Sequence, residues 1–201
     1  MMNTIAIIVA YLLGSISTAI IVCRFAGLHD PREEGSGNPG ASNVLRIAGK
    51  TYAAITLLGD GLKGFVAVFI AFVLGVHGWM LGIVAVAAVL GHMFPAFFKF
   101  QGGKGVATAI GCFFALSLPL GVTTLVIWLV LAFVFRYASL ASLAATIAAP
   151  FIILLFQPAY FLGLAIVAAL IAWRHLENIN RLKTGSEVKI DLTSETKSEN
   201  S

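Results

Sequence analysis

Val106 to Arg136 reads VATAIGCFFALSLPLGVTTLVIWLVLAFVFR, with no charge before the final arginine. A helix needs roughly 20 apolar residues to cross the hydrocarbon, so this stretch is long for one span and barely sufficient for two. The choice decides on which side every later segment emerges. Pro119-Leu120-Gly121 supplies turn punctuation in the middle and predicts two short spans, 106–120 and 121–136. Working outward, further apolar runs occupy 4–24, 51–76, 79–98, 138–156 and 158–173, the last two parted by Gln157-Pro158. The expected fold class is an all-α membrane protein with seven transmembrane helices.

Charge supports two crossings. Of thirteen Lys and Arg residues, twelve lie in 24–50, 99–104, position 136 or the region after 173, and Lys63 alone sits inside a span. With seven crossings those segments share one side, whereas the N-terminus and the turns near 77, 120 and 157 carry neither residue. The positive-inside rule then places the N-terminus outside and the C-terminus in the cytoplasm. Residues 1–183 are expected to form a single polytopic membrane domain, and 184–201 a polar cytoplasmic tail that is disordered. Thr4 to Cys23 lacks a positive flank before it and is read as a retained span, not a cleaved signal.

Composition excludes other classes. The chain is 59% hydrophobic and 11% charged, with a mean hydropathy of +0.96, beyond any soluble average. A pI near 9.3 comes without the basic block and interleaved aromatics of a nucleic-acid surface, so no nucleic-acid partner is expected. Cys23 and Cys112 stand alone in apolar runs and read as packing residues, and the four histidines lack metal-ligand spacing. Neither a metal nor a cofactor is expected.

The chemistry gathers in three polar segments. The first reads Gly35-Ser36-Gly37-Asn38-Pro39-Gly40-Ala41-Ser42-Asn43, followed by Arg46. Its glycines permit positive φ and let consecutive N–H groups turn inward as an anion-binding concavity. Ser36, Ser42 and Asn43 add neutral donors, and Arg46 adds a planar fork suited to phosphate. A flexible connector is the plain alternative, and the arginine together with a second such loop weighs against it.

The second, Gly102-Gly103-Lys104-Gly105, leads straight into a span, so free N–H groups and the positive end of a helix dipole meet the loop. Lys104 adds a point charge. The Walker A pattern fails because Gly105, not Ser or Thr, follows the lysine, and Gly49-Lys50-Thr51 lacks its leading glycine because position 44 is Val44. The third segment runs Arg174-His175 to Arg181-Leu182. On one continuous helix Arg174, Asn178 and Arg181 share a face, with His175 beside Asn178; a juxtamembrane helix meeting lipid headgroups is the alternative.

Three further positions qualify. Asp60 and Lys63, three apart inside a span, must pair or face a polar interior. His92, near the cytoplasmic end of its span, is within reach of Lys104 or a substrate, or else is a satisfied core histidine. Ser139 opens a span on the cytoplasmic side and reads as a helix cap or a site hydroxyl.

Taken together, the Gly35–Arg46 segment, Gly102-Gly103-Lys104-Gly105-Val106-Ala107-Thr108 and Arg174–Leu182 resemble the bacterial acyl-phosphate:glycerol-3-phosphate acyltransferase family, in the family's order and over the chain to about Glu187. The resemblance implies transfer of a fatty acyl group from acyl-phosphate to the first hydroxyl of glycerol 3-phosphate, giving lysophosphatidic acid and phosphate at the cytoplasmic face of the inner membrane. It implies Ser36, Arg46, Lys104, His175 and Asn178 as catalytic residues. For substrate binding the expected residues are Gly35, Gly37, Asn38, Gly40, Ser42 and Asn43 of the first loop and Gly102, Gly103 and Gly105 of the second. Lys63, His92 and Ser139 complete that set. Glu187 looks like the family's structural glutamate, and Ser42 stands where many relatives carry threonine. Either His175 or the bound phosphate accepts the hydroxyl proton, and either loop takes either phosphate. Expected partners are the two substrates and the bilayer, with room for other phospholipid-synthesis enzymes. A transporter for phosphorylated solutes is the rival reading, but its site belongs near the midplane, whereas these polar residues collect on one side.

Overall fold

The computed structural model describes residues 1–190, and the regular secondary structure among them is all helical, without a strand. The ten α-helices are α1 (Met2–Gly14), α2 (Thr18–Phe25), α3 (Ala41–Ala48), α4 (Lys50–Val73), α5 (Trp79–Met93), α6 (Val106–Leu116), α7 (Leu118–Phe135), α8 (Ala138–Ile153), α9 (Phe161–Arg174) and α10 (Leu176–Lys183). Four segments are long and apolar enough to cross a bilayer: Met2–Phe25, which joins α1 to α2, α4, Trp79–Phe98 and α7. A fifth, the stretch from Pro158 to Lys183, passes only as a pair bent by 60° at His175. The apolar helices α6 and α8 are shorter.

The break between α6 and α7 falls at Ser117, two residues before the expected turn. Pro119 instead occupies the first turn of α7, where its missing N–H leaves no hydrogen bond unmade. Ser117 is extended, with φ −163° and ψ 120°, which ends one helix and starts the next in a single residue. The turn expected at Gln157-Pro158 is present, between the end of α8 and a 3₁₀ turn at Pro158–Tyr160.

α5 is the centre of the bundle, with α1, α4, α6 and α9 packed round it. Eleven of its fifteen residues are buried, as expected of a helix apolar on every side. Close approach comes from glycine. A β-carbon at Gly91 would strike the Tyr11 carbonyl of α1, and one at Gly64 of α4 would strike the Thr108 carbonyl of α6. Large apolar side chains such as Leu58, Phe133 and Leu155 point outward, the arrangement required where the surrounding solvent is lipid.

The polar tail expected from residue 184 divides in two. Residues 184–190 fold back onto the helices: the Ile190 N–H donates to the Arg136 carbonyl at 2.6 Å, and the Arg136 Nε and Nη2 donate to the Ile190 carbonyl at 3.1 and 2.9 Å. Residues 191–201 lie outside the described residues.

Candidate active site

The α9–α10 bend sets the site. His175 sits at the bend, where its Nδ1–H donates to the Ile171 carbonyl at 2.8 Å. A carbonyl only accepts, so Nδ1 carries the proton and Nε2 is left as an acceptor. The bend also separates residues that one straight helix would have aligned. Arg174 stays on α9, while Asn178 and Arg181 turn with α10.

Around Asn178 four elements converge. The Lys104 ammonium, from the second glycine-rich loop, donates to Asn178 Oδ1. The opposite end of the amide, Nδ2, donates to Glu187 Oε1 at 2.6 Å. Ser139 Oγ, from α8, donates to the same oxygen at 2.6 Å, and Arg181 Nε donates to Glu187 Oε2 at 2.7 Å. Ser139 is therefore a member of the polar cluster and not a helix cap, since Tyr137 occupies the cap position. Burial raises the Glu187 carboxyl, but the three hydrogen bonds from Ser139, Asn178 and Arg181 outweigh it and hold the pKa below the usual range.

The same burial acts on the two groups best placed for chemistry. Desolvation, helped by the positive charge of Arg181, brings Lys104 down to about 8. Desolvation is also the largest cause at His175, reinforced by Lys104 and outweighing the Ile171 hydrogen bond, and brings it down to about 4. His175 is thus neutral at physiological pH, and Lys104 keeps its charge but gives it up easily.

Arg174 reaches the second loop by another route. Its Nη2 donates to the Gly102 carbonyl at 2.9 Å, and its guanidinium lies 5.9 Å from the ring centres of both Phe94 and Trp173. Beside it opens a cavity of about 270 Å³, lined by Arg32, Gly37, Pro39, Phe100, Gly102 and Arg174. Both glycine-rich loops contribute to that wall. Gly35 and Gly37 adopt φ of +62° and +68°, and Gly105 adopts +84°, conformations that favour glycine. Gly40, by contrast, is extended and precedes the first turn of α3.

Arg32 was not singled out by the sequence, yet it fastens the first loop. Its Nε and Nη2 donate to the Asp30 carboxylate at 2.9 and 2.6 Å, and its Nη1 donates to the Phe98 carbonyl at 3.0 Å. The available signal was Asp30-Pro31-Arg32, opposite charges flanking a proline at the loop entrance. Asn43 is turned into its own loop: its Oδ1 accepts the Ser36 N–H at 2.8 Å, and its Nδ2 donates to the Pro31 and Glu34 carbonyls. Its amide is thereby engaged with the backbone of the loop that precedes it. Ser36, Ser42 and Arg46 are exposed, and the structure does not bring their side chains into the Lys104–Asn178 cluster. Asn38 packs its amide near Gly40.

Lys63 and His92 meet inside the bundle. Lys63 Nζ lies 2.8 Å from Asp60 Oδ1 and 2.9 Å from His92 Nδ1. His92 therefore reaches Lys63 and not Lys104, and its other face lies against Gly103. Among the described residues no group of His, Cys, Asp and Glu is arranged to hold a metal ion.

The family described as Glycerol-3-phosphate acyltransferase matches residues 4–185. A glycerol-3-phosphate acyltransferase of Vibrio vulnificus (strain YJ016) is 51% identical over 183 residues, covering 91% of this chain and 90% of the relative. One from Shewanella loihica (strain ATCC BAA-1088 / PV-4) is 49% identical over 184 residues, covering 92% and 91%. The crystal structure of PlsY (YgiH), an integral membrane glycerol 3-phosphate acyltransferase, in its glycerol 3-phosphate form superposes with a TM-score of 0.88 at 42% identity, over 94% of this chain and 96% of that one. The lysophosphatidic acid form gives 0.86 at 41% identity, over 94% and 95%. The motif resemblance drawn from the three polar segments therefore holds over nearly the full described length, and the chain belongs to the glycerol-3-phosphate acyltransferase family.

Proposed function

We propose that this protein transfers a fatty acyl group from acyl-phosphate to the first hydroxyl of glycerol 3-phosphate, releasing lysophosphatidic acid and inorganic phosphate. The observation that carries the reading is the convergence of both glycine-rich loops, Arg32 and Arg174 on one cavity, with Lys104, two residues beyond the cavity's Gly102, hydrogen-bonded to Asn178. Two phosphate-bearing substrates need two anion seats, and an already activated acyl group needs no enzyme nucleophile. The glycerol oxygen attacks the acyl carbonyl carbon, the carbon–oxygen bond to phosphate breaks, and phosphate departs with the electron pair. Lys104, held by Asn178, stabilises the charge that develops on oxygen. Ser36, Ser42 and Arg46 serve as exposed donors of the first loop and Asn38 as a half-buried one, and the backbone of Gly35, Gly37, Gly40, Gly102, Gly103 and Gly105 lets the phosphates approach.

His175 offers Nε2 as the acceptor for the attacking hydroxyl. With its pKa near 4 it is a weak base, so it orients the hydroxyl while the departing phosphate takes the proton. A His175→Gln variant that folds and keeps the wild-type pH-rate profile with lowered turnover supports this division of roles. A changed profile would make His175 the base.

We place the protein in the bacterial inner membrane with seven spans. The four long apolar segments, together with α9 and the shorter α6 and α8, supply the seven apolar segments that this reading needs. The asymmetric Lys and Arg distribution supports an external N-terminus and a cytoplasmic site. The apolar outer faces offer the acyl chain a sideways approach from the bilayer, and adjoining phospholipid-synthesis enzymes would supply the donor and take the product. Mass-spectrometric identification of lysophosphatidic acid, formed in equal amount with inorganic phosphate, tests the reaction as written.

A further inference from the structure

Asp60 takes no part in the reaction described above. It is nevertheless a carboxylate 2% exposed inside a membrane-spanning helix, where an uncompensated charge is strongly disfavoured. Lys63 compensates it from one turn further along. Three acceptors surround the Lys63 ammonium: Asp60 Oδ1 at 2.8 Å, the Ile16 carbonyl at 2.6 Å and His92 Nδ1 at 2.9 Å. The ammonium hydrogen-bonds the Ile16 carbonyl and His92 Nδ1 and meets Asp60 Oδ1 as an ion pair. Because an ammonium has no lone pair, His92 Nδ1 must be the acceptor in that contact. A protonated ring would aim an N–H at a cation, so His92 is neutral and carries its proton on Nε2.

That nitrogen faces the second glycine-rich loop. A β-carbon at Gly103 would collide with His92 Nε2 and lie 3.0 Å from the Pro39 carbonyl of the first loop. The His92 carbonyl also accepts the Gly103 N–H at 3.2 Å. His92 thus holds the loop by its backbone and presents its ring nitrogen where the two loops meet.

We propose that Asp60 is a positioning residue: acting through Lys63, it fixes His92 as the Nε2–H tautomer and aims that N–H at the loop junction, where a substrate phosphate oxygen accepts it. The last clause rests on the phosphate-binding reading given above; the tautomer assignment does not.

Nitrogen-15 NMR of histidine-labelled protein in detergent micelles tests both parts, with the His92 signals assigned from a His92→Gln sample. The wild type is expected to show a bare Nδ1 and a protonated Nε2, and the Nε2 signal is expected to move on addition of glycerol 3-phosphate. In Lys63→Met the Asp60 Oδ1, 3.6 Å from Nδ1, becomes the acceptor and draws the proton to Nδ1. That variant strands a buried carboxylate and risks unfolding, so the charge-neutral pair Asp60→Asn with Lys63→Met accompanies it. The pair is expected to give mixed tautomers and to raise the KM for glycerol 3-phosphate by about tenfold, with a smaller change in kcat. A wild-type ring protonated at Nδ1, or a ring unchanged in the charge-neutral pair, overturns the tautomer assignment. An Nε2–H signal indifferent to glycerol 3-phosphate in an enzyme that turns over overturns the phosphate contact alone. An intact tautomer in a wild-type protein without turnover would count against the proposed reaction while supporting the Asp60 relay.

Discussion

The Lys104 ammonium and the Asn178 side-chain amide, 74 positions apart in sequence, are joined by a hydrogen bond that leaves the amide only one orientation. Oδ1 faces the cation and Nδ2 faces Glu187. If this pair works as a unit, its two halves should not contribute independently. Lys104→Met and Asn178→Leu are each expected to lower kcat by about a hundredfold, the scale of losing one electrostatic stabiliser. The double variant should lose far less than the product of the two. A double-mutant cycle on purified, folded protein measures the coupling, and multiplicative losses would show that Lys104 acts without Asn178.

The depressed pKa values fix the shape of the pH profile. Lys104, at about 8, is charged below that value, so activity that depends on the ammonium should hold at neutral pH and fall as pH rises through about 8. His175, at about 4, is already neutral above that point and should contribute no acid limb near neutrality. Lys104→Arg, whose charge persists to far higher pH, should shift the alkaline fall upward even where it lowers the maximum rate. A pH-rate series on both proteins checks this.

Glu187 ties residues 184–190 to the bundle, and its depressed pKa gives the tie a pH sense. A carboxyl lowered on folding contributes stability that is present above its unfolded pKa and lost as pH falls through the folded one. Limited proteolysis should therefore find 184–190 protected at neutral pH and cleaved progressively under acid conditions. Glu187→Gln, which gives up the Arg181 ion pair, should be cleaved faster at neutral pH, and Arg136→Met should do likewise by removing both guanidinium bonds to Ile190.

Much of this architecture was legible from composition, because long apolar runs are a direct consequence of a bilayer. The Ser117 break was not, since Pro119 is equally at home in a turn and in the first turn of a helix. The motifs indicated the site, but their geometry depended on the bend at His175. A periodicity argument extends a helix through such a bend and so wrongly aligns Arg174 with Asn178. The hydrogen bonds of Ser139, Asn43 and Arg32 run to residues 48, 7 to 12 and 66 positions away, and no local pattern announces partners at those separations.

Topology gives an independent prediction. Cys23 and Cys112 are buried, so a cysteine introduced at the surface should be the reactive one. His77→Cys and Gln157→Cys are expected to react with a membrane-impermeant thiol reagent in intact spheroplasts, and Glu33→Cys and Lys183→Cys only after permeabilisation. The opposite pattern would invert the orientation. Labelling of 77 and 157 from different sides would remove one crossing.

Everything in the proposed reaction turns on the identity of the acyl donor. The most direct measurement incubates purified protein in detergent with labelled glycerol 3-phosphate and either acyl-phosphate or acyl-CoA. Labelled lysophosphatidic acid is expected with acyl-phosphate alone; product formed from acyl-CoA, or none from folded protein with either donor, would overturn the proposed reaction.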